Sequence, residues 1–384
     1  MSSGIIVLTE FKSRFQNTPK LFFSPGRINL IGEHVDYNDG FVMPAAIDKG
    51  VWFAVAENNT DNCNFYSLDF KEEYSVTLSE ITPQKGWQNY VLGIVDQLLQ
   101  KELSVKGFDC VFGGNIPVGA GMSSSAAVEC GLLFALNETF QFQLSRQVMA
   151  PMAQKAEHTF PGVKCGIMDM FASLMGKENN VILLDCMTLE YEYLPLTPEN
   201  YQIILINTMV HHSLAAGEYN IRRQQCRDGF KILQAALGEQ VKTFRDLRPA
   251  DVEKHKNLLE ADIYKRCQFV TQEIERTQLA ATLLKENKME EFGELMFATH
   301  EGLSKLYDVS CPELDFLVNE AKKYSDIMGS RAMGGGFGGC TINIIYKAEA
   351  KEVIEKITSA YKNKFNLDAE VYEVAPGDGT YEVL

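Results

Sequence analysis

Cysteines at metal-binding spacing are missing from this chain. Its nine cysteines, at 63, 110, 130, 165, 186, 226, 267, 311 and 340, are scattered, odd in number and never spaced C-x-x-C. That argues against a disulfide scaffold and against a zinc site, and leaves most of them as small apolar residues. Positive charge is short as well: 36 Lys and Arg against 51 Asp and Glu give a net charge of −15. Such a field disfavours nucleic acid and anionic membrane as partners. A phosphate-rich ligand would have to be met locally, by backbone amides, helix N-termini or a metal ion. No uncharged run reaches the roughly 20 residues of a transmembrane helix. The opening MSSGIIVLTEFKSRF has no basic region followed by a sustained apolar stretch, so no signal peptide is expected. A reduced, cytoplasmic protein is the expectation. Internal repeats and low-complexity segments are absent too.

What is present is ordinary in bulk and informative in detail. The 384 residues are 46% apolar and 23% charged, enough for two cores. Strand-like composition at 20–24, 41–57, 63–68 and 107–116 alternates with helical spacing through GWQNYVLGIVDQLLQKEL, from about Ser124, and over 145–159. Pro151 predicts a kink or a late start in the last of these. Strands are expected at 181–185 and 201–207, then helices over 217–236 and, with interruptions, 260–323, then strands at 340–346 and 369–374. The coarse expectation is two α+β domains, 1–180 and 181–384.

Four segments carry chemistry. PVGAGMSSSAAVECG (117–131) places Gly119 and Gly121, which permit close backbone approach, before Ser123, Ser124 and Ser125 at a helix start. Free N–H groups and the positive end of the helix dipole suit phosphate there. It is not a Walker A loop, because no Gly-Lys-Ser/Thr follows; a serine-capped helix after a glycine turn would read the same. MGGGFGGC (333–340) is a second glycine cluster, and two such loops are best explained by one shared ligand. SPGRINLIGEHVDYNDGF (24–41) gathers Arg27, Glu33, His34, Asp36 and Asp39 around glycines, a set suited to binding hydroxyls or, alternatively, a solvated charged turn. CGIMDMFASLMG (165–176) sets Asp169 alone among Ile167, Met168, Met170 and Phe171, where a carboxylate needs a partner.

Taken together, these segments resemble the galactokinases, within the GHMP family of small-molecule kinases. GRINLIGEHVDYNDGFVMP resembles the galactokinase signature, IPVGAGMSSSAA the family's phosphate loop, and GSRAMGGGFGGC its third motif. WQNYVLG, AQKAEHTF, CGIMDMF, LLDCMTLE, GEYNIRRQQC and YDVSCPELD add matches in order, so that the resemblance runs from about residue 20 to 345. It implies a two-domain α+β GHMP kinase fold, with an N-terminal domain like ribosomal protein S5 domain 2, a ferredoxin-like C-terminal domain and the active site in the cleft. It implies ATP-dependent phosphorylation of the C1 hydroxyl of α-D-galactose, opening galactose breakdown by the Leloir route. By the same resemblance Asp169 is the catalytic carboxylate and Arg27 its cationic neighbour. Glu33, His34, Val35, Asp36, Gly166 and Tyr219 would bind the sugar. Ser67, Trp87, Gly119, Ala120, Gly121, Met122, Ser123, Ser124 and Ser125 would bind ATP, although Trp87 also reads as a core aromatic. Ser125 and Glu157 would hold Mg2+, a metal that prefers oxygen ligands. The small-molecule substrates are the expected partners of a monomer.

Departures from the family pattern fall at Met170 (usually glutamine), Val35 (threonine), Leu92 (lysine), and Met187 and Thr188 (arginine-serine). None removes a group assigned to the chemistry. His211, His212, His255 and His300 have no metal spacing. Two other readings stand beside galactose: a related sugar such as N-acetylgalactosamine or arabinose, and a non-catalytic sensor of galactose and ATP. The intact set of Arg27, Ser123–Ser125, Glu157 and Asp169 counts against the sensor.

Overall fold

The computed structural model describes residues 3–117, 119–196, 199–210 and 215–383. His211, His212 and Val118 of the glycine-serine loop lie outside them. In chain order the elements are α1 (Ser3–Arg14), β1 (Lys20–Asn29), β2 (Phe41–Val42), β3 (Pro44–Glu57), β4 (Asn62–Ser67), β5 (Glu72–Thr77), α2 (Gln88–Gln100), β6 (Phe108–Gly114), α3 (Ser124–Phe140), α4 (Arg146–Thr159), α5 (Met168–Met175), β7 (Asn180–Asp185), β8 (Tyr191–Pro195) and β9 (Tyr201–Asn207). Then come α6 (Ala215–Leu237), α7 (Pro249–Lys254), α8 (Ala261–Lys285), α9 (Met289–Gly302), a π-helical turn (Leu303–Tyr307), α10 (Pro312–Ala321), β10 (Ile327–Ala332), β11 (Cys340–Tyr346), α11 (Ala350–Phe365), β12 (Glu370–Val374) and β13 (Tyr381–Val383).

Three sheets result among the described residues. The largest has the order β13-β1-β3-β6-β4-β5 and is antiparallel except where β4 runs alongside β6. The second is β10-β11-β9-β12 and the third β2-β7-β8, both antiparallel. Helix α1 covers one face of the large sheet, setting Val7 and Phe11 against Ala54 and Val111. Helices α3 and α5 cover the other face, with α2 and α4 packed behind them. The period of two in YQIILIN then joins the sheets. Ile204 and Ile206 meet Leu317 of α10 and Ile357 of α11, whereas Ile203 and Leu205 share a core with Leu30, Met43, Ile47 and Met122.

Most expected elements lie where composition placed them, with instructive exceptions. The expected strand 41–57 is two strands in different sheets: Phe41–Val42 pairs with β7, while β3 pairs with β1 and β6. Helix α4 begins at Arg146 despite Pro151, because Ser145 accepts a bond from Val148 N and Pro151 sits on an exposed face. The helical stretch 260–323 breaks into α8, α9, the π turn and α10. Among the described residues no helix is long and apolar enough to cross a membrane.

Candidate active site

Strand β1 shifts register between Pro25 and Arg27, and Arg27 N donates to Met122 O at 3.1 Å. Only glycine fits before it: a Cβ on Gly26 would lie 2.6 Å from Met122 O. The glycine-serine loop is thus pressed against β1, and the buried Arg27 side chain projects beneath it. Its Nε and Nη2 grip the two carboxylate oxygens of Asp169 at 2.8 and 3.0 Å, and Nη1 donates to Gly121 O. Burial works against the Arg27 charge, but Asp169 and Glu33 outweigh it and hold the guanidinium above its usual range. Asp169 stands in the first turn of α5, where the helix dipole favours a negative charge. Ser123, in the left-handed region at φ 55°, donates its hydroxyl to Asp169. A carboxylate in an apolar run therefore has three donors aimed at it.

The 30–40 turn is held from the far end of the chain. Arg331 of β10, fully buried, donates to Glu33 Oε1 at 3.0 Å and to the carbonyls of Leu30 and Asn29. Gly334 N also donates to Glu33 Oε1, at 2.9 Å. Burial opposes the Glu33 charge, yet Arg331, Arg27 and the Gly334 amide keep its carboxyl below the usual range. Asp36 accepts from the Met168 amide and lies against Gly166, where a Cβ would sit 1.8 Å from Oδ2. Burial, then Asp169 and Glu33, push Asp36 up to about 7. Burial and the neighbouring arginines, against Glu33, take His34 down to about 4, so its ring is neutral. Tyr219 of α6 packs its ring 5.5 Å from that of His34.

These groups share one cavity of about 270 Å³, lined by Arg27, Glu33, His34, Asp36, Gly121, Ser123, Glu157, Cys165, Gly166, Asp169, Tyr219 and the Gly334–Gly336 turn, among others. The two glycine clusters lie side by side: a Cβ on Gly334 would sit 3.4 Å from Gly121 O, and one on Gly339 3.4 Å from Gly119 O. Glu157 reaches the cavity from α4, hydrogen-bonded to the Ser125 hydroxyl and 3.1 Å from Cys165 Sγ. Burial drives its carboxyl up to about 7, the Cys165 and Ser125 hydrogen bonds acting against burial and Asp169 adding to it.

Other expected residues stand elsewhere. Val35 is fully buried against Gly40, in the core rather than on the cavity wall, because the chain turns between His34 and Asp36. Ser67 is buried at the end of β4, and Trp87 is buried with Nε1 donating to Glu72 at 2.8 Å; neither lines the cavity. Gly119 is exposed on the loop and Ser124 at the start of α3, while Ala120 and Met122 turn their side chains into the core. Met170 is fully buried, which explains an apolar residue at that position. His300 accepts from Ala332 N and faces Asp315, and His255 bonds the Asp251 carbonyl.

Sequence reasoning passed over Arg331, although it lies inside GSRAMGGGFGGC, and Glu129. Glu129 follows Ser125 by one helical turn, is fully buried, and has no hydrogen-bond partner for either oxygen among the described residues. Burial, then Glu157 and Asp169, push its carboxyl well up. The i, i+4 spacing on α3 was the available signal.

The arginine-forked carboxylate thus stands beside the glycine-serine helix start and shares its cavity with Glu33, His34 and Asp36. The GHMP kinase N-terminal and C-terminal domains match residues 89–177 and 280–363, and the galactokinase galactose-binding signature matches 9–57. The galactokinase of Bacillus subtilis is 40% identical over 95% of this chain and 94% of its own, and that of Thermotoga petrophila 38% over 94% and 99%. The crystal structure of Lactococcus lactis galactokinase complexed with galactose matches with a TM-score of 0.95 at 31% identity, covering 99% of each chain. The chain belongs to the galactokinase family. A mevalonate kinase, at 18% identity and a TM-score of 0.63, shares the fold alone.

Proposed function

We infer that the chain transfers the γ-phosphoryl group of ATP to the C1 hydroxyl of α-D-galactose, giving α-D-galactose 1-phosphate and ADP. The observation that carries this is the Arg27–Asp169 fork, standing between the galactose-signature loop and the glycine-serine loop in one cavity. Asp169 takes the C1 hydroxyl proton as that oxygen bonds to the γ-phosphorus and the bond to the β-phosphate oxygen breaks. Its carboxylate already accepts from Arg27 and Ser123, so it orients the hydroxyl first and receives the proton as the new bond forms. Arg27, held cationic, meets charge on the transferring oxygens. Glu33, His34, Asp36, the Gly166 backbone and Tyr219 hold the sugar, with the triphosphate over Gly119–Ser125. Nothing favours another sugar or a silent sensor.

Magnesium fits the oxygen donors at hand. Among the described residues no group of three or more His, Cys, Asp or Glu side chains is arranged to hold a metal. A site here would rest on Ser125, Glu157 and phosphate oxygens, the sparse protein ligation magnesium accepts. The ion, when bound, neutralises charge on the triphosphate. A monomeric, cytoplasmic enzyme, divided near residue 180, belongs to the same proposal. The division is supported by β3–β6 lying before that point and β9–β12 after it, although β13 returns to β1. The test is ADP release with Mg-ATP across a panel of sugars. Galactose is expected to be the best substrate, and a poor rate with galactose beside a high rate with another sugar would overturn the reading.

A further inference from the structure

Behind His34 a chain of hydrogen bonds leads away from the cavity. His34 adopts φ 61° and is enclosed, its ring centroid 4.8 Å from that of Tyr307. Its Nδ1 lies 2.8 Å from the Tyr37 hydroxyl, that hydroxyl 2.9 Å from the Tyr307 hydroxyl, and the latter 3.2 Å from Cys226 Sγ. Nε2 is buried and has no hydrogen-bond partner among the described residues, although His34 lines the cavity. Tyr307 ends the π-helical turn, a backbone form concentrated at functional sites, and Arg222 Nε fixes its carbonyl at 3.0 Å. Nothing in the reaction as described so far uses either tyrosine.

We propose that Tyr37 and Tyr307 are positioning residues that fix the tautomer of His34, so that Nε2–H faces the cavity as a donor to a sugar hydroxyl. The direction of the chain follows from its two ends. A neutral imidazole nitrogen is a strong acceptor and a thiol sulfur a weak one. The phenolic protons therefore run toward the ring: Cys226 S–H to Tyr307, Tyr307 O–H to Tyr37, Tyr37 O–H to Nδ1. The second ring nitrogen must then carry the proton. This complements the rest of the wall, where Glu33, Asp36 and Asp169 face the cavity. Ionised carboxylates accept only, and a hydroxyl that donates to one of them keeps lone pairs that an N–H can meet. The opposite tautomer would turn a lone pair toward those acceptors and leave the sugar without this donor.

The inference rests on reading the cavity as a sugar site, and the experiment separates the two. Ligand-free protein labelled with 15N-histidine is examined by long-range nitrogen–proton correlation, with His34 assigned through His34→Gln. The wild type should show the neutral Nε2–H pattern at His34. Tyr37→Phe should lose that pattern and raise the galactose KM about three- to tenfold, with kcat and the ATP KM within about twofold of wild type. Tyr307→Phe should act in the same direction but less, because Tyr37 keeps its bond to Nδ1. An Nδ1–H pattern in the wild type overturns the proposal, as does a Tyr37→Phe variant with unchanged spectrum and KM. The Nε2–H pattern in a wild type that turns over no galactose would overturn the substrate and leave the tautomer assignment standing.

Discussion

A carboxylate among Ile167, Met168, Met170 and Phe171 is costly unless donors meet it, and Arg27 and Ser123 supply them. Asp169→Asn keeps the shape but cannot accept a proton. It should lower kcat by about 10³-fold, with nucleotide affinity near wild type, as read by ADP release and ATP titration. Retained turnover would remove Asp169 from the chemistry. Asp36 gives a pH dependence. Its carboxyl is pushed from 3.8 to about 7 in the folded chain. Between those values the folded protein holds a proton that the unfolded chain has released, so this group lowers stability as pH rises across the window. Sugar hydroxyls donate to the ionised form. Galactose KM should therefore fall as pH rises through 7, and galactose binding near pH 6.5 should release protons, measurable by calorimetry in buffers of different ionisation heat. Asp36→Asn should abolish both effects.

Helix α2 was legible because its apolar pattern answers one packed face, while β9 and β11, buried on both faces, were legible as short β-branched runs between turn residues. The unread elements lack such a pattern. Helix α5 is nearly all apolar and buried, so no period separates helix from strand, and β10 carries the buried Arg331 beside glycines. The π turn has no local signature at all, since its geometry answers contacts with α6 and α8. At this scale Gly166 is the sharpest test. A methyl there would collide with Asp36 at the entry to α5. Gly166→Ala should lower kcat/KM for galactose by about 10²-fold through displacement of Asp36 and Asp169 together, with ATP affinity largely kept. A variant with normal galactose kinetics would mean that this approach is slack in solution.

Across the whole molecule the site depends on contacts far apart in sequence, which is why only a motif-level resemblance made it legible. Arg27 reaches Asp169 across 142 residues and Arg331 reaches Glu33 across 298. No local propensity encodes either pairing. The last residues provide the same kind of link. Strand β13 pairs with β1, which carries Arg27. Just before it, Gly379 N donates to Gly176 O and Thr380 N to Ser173 O, tying down α5, which carries Asp169. The buried Thr380 hydroxyl also bonds Ser173 O at 2.9 Å and sits 3.0 Å from Ser24 Oγ, and Arg146 of α4 donates to its carbonyl at 2.6 Å. The terminus thus joins the strand and the helix whose side chains form the Arg27–Asp169 fork. A chain ending at Ala375 loses these bonds and leaves Leu21–Phe23 on an open sheet edge. At about 1 kcal/mol for each buried hydrogen bond, the loss should reach about 4 kcal/mol and lower Tm by several degrees. Because both halves of the fork loosen, kcat should fall more steeply than the ATP affinity. Thermal unfolding and ADP release on the shortened chain would measure both, and an unchanged Tm with full kcat would show that the fork stands without its clamp.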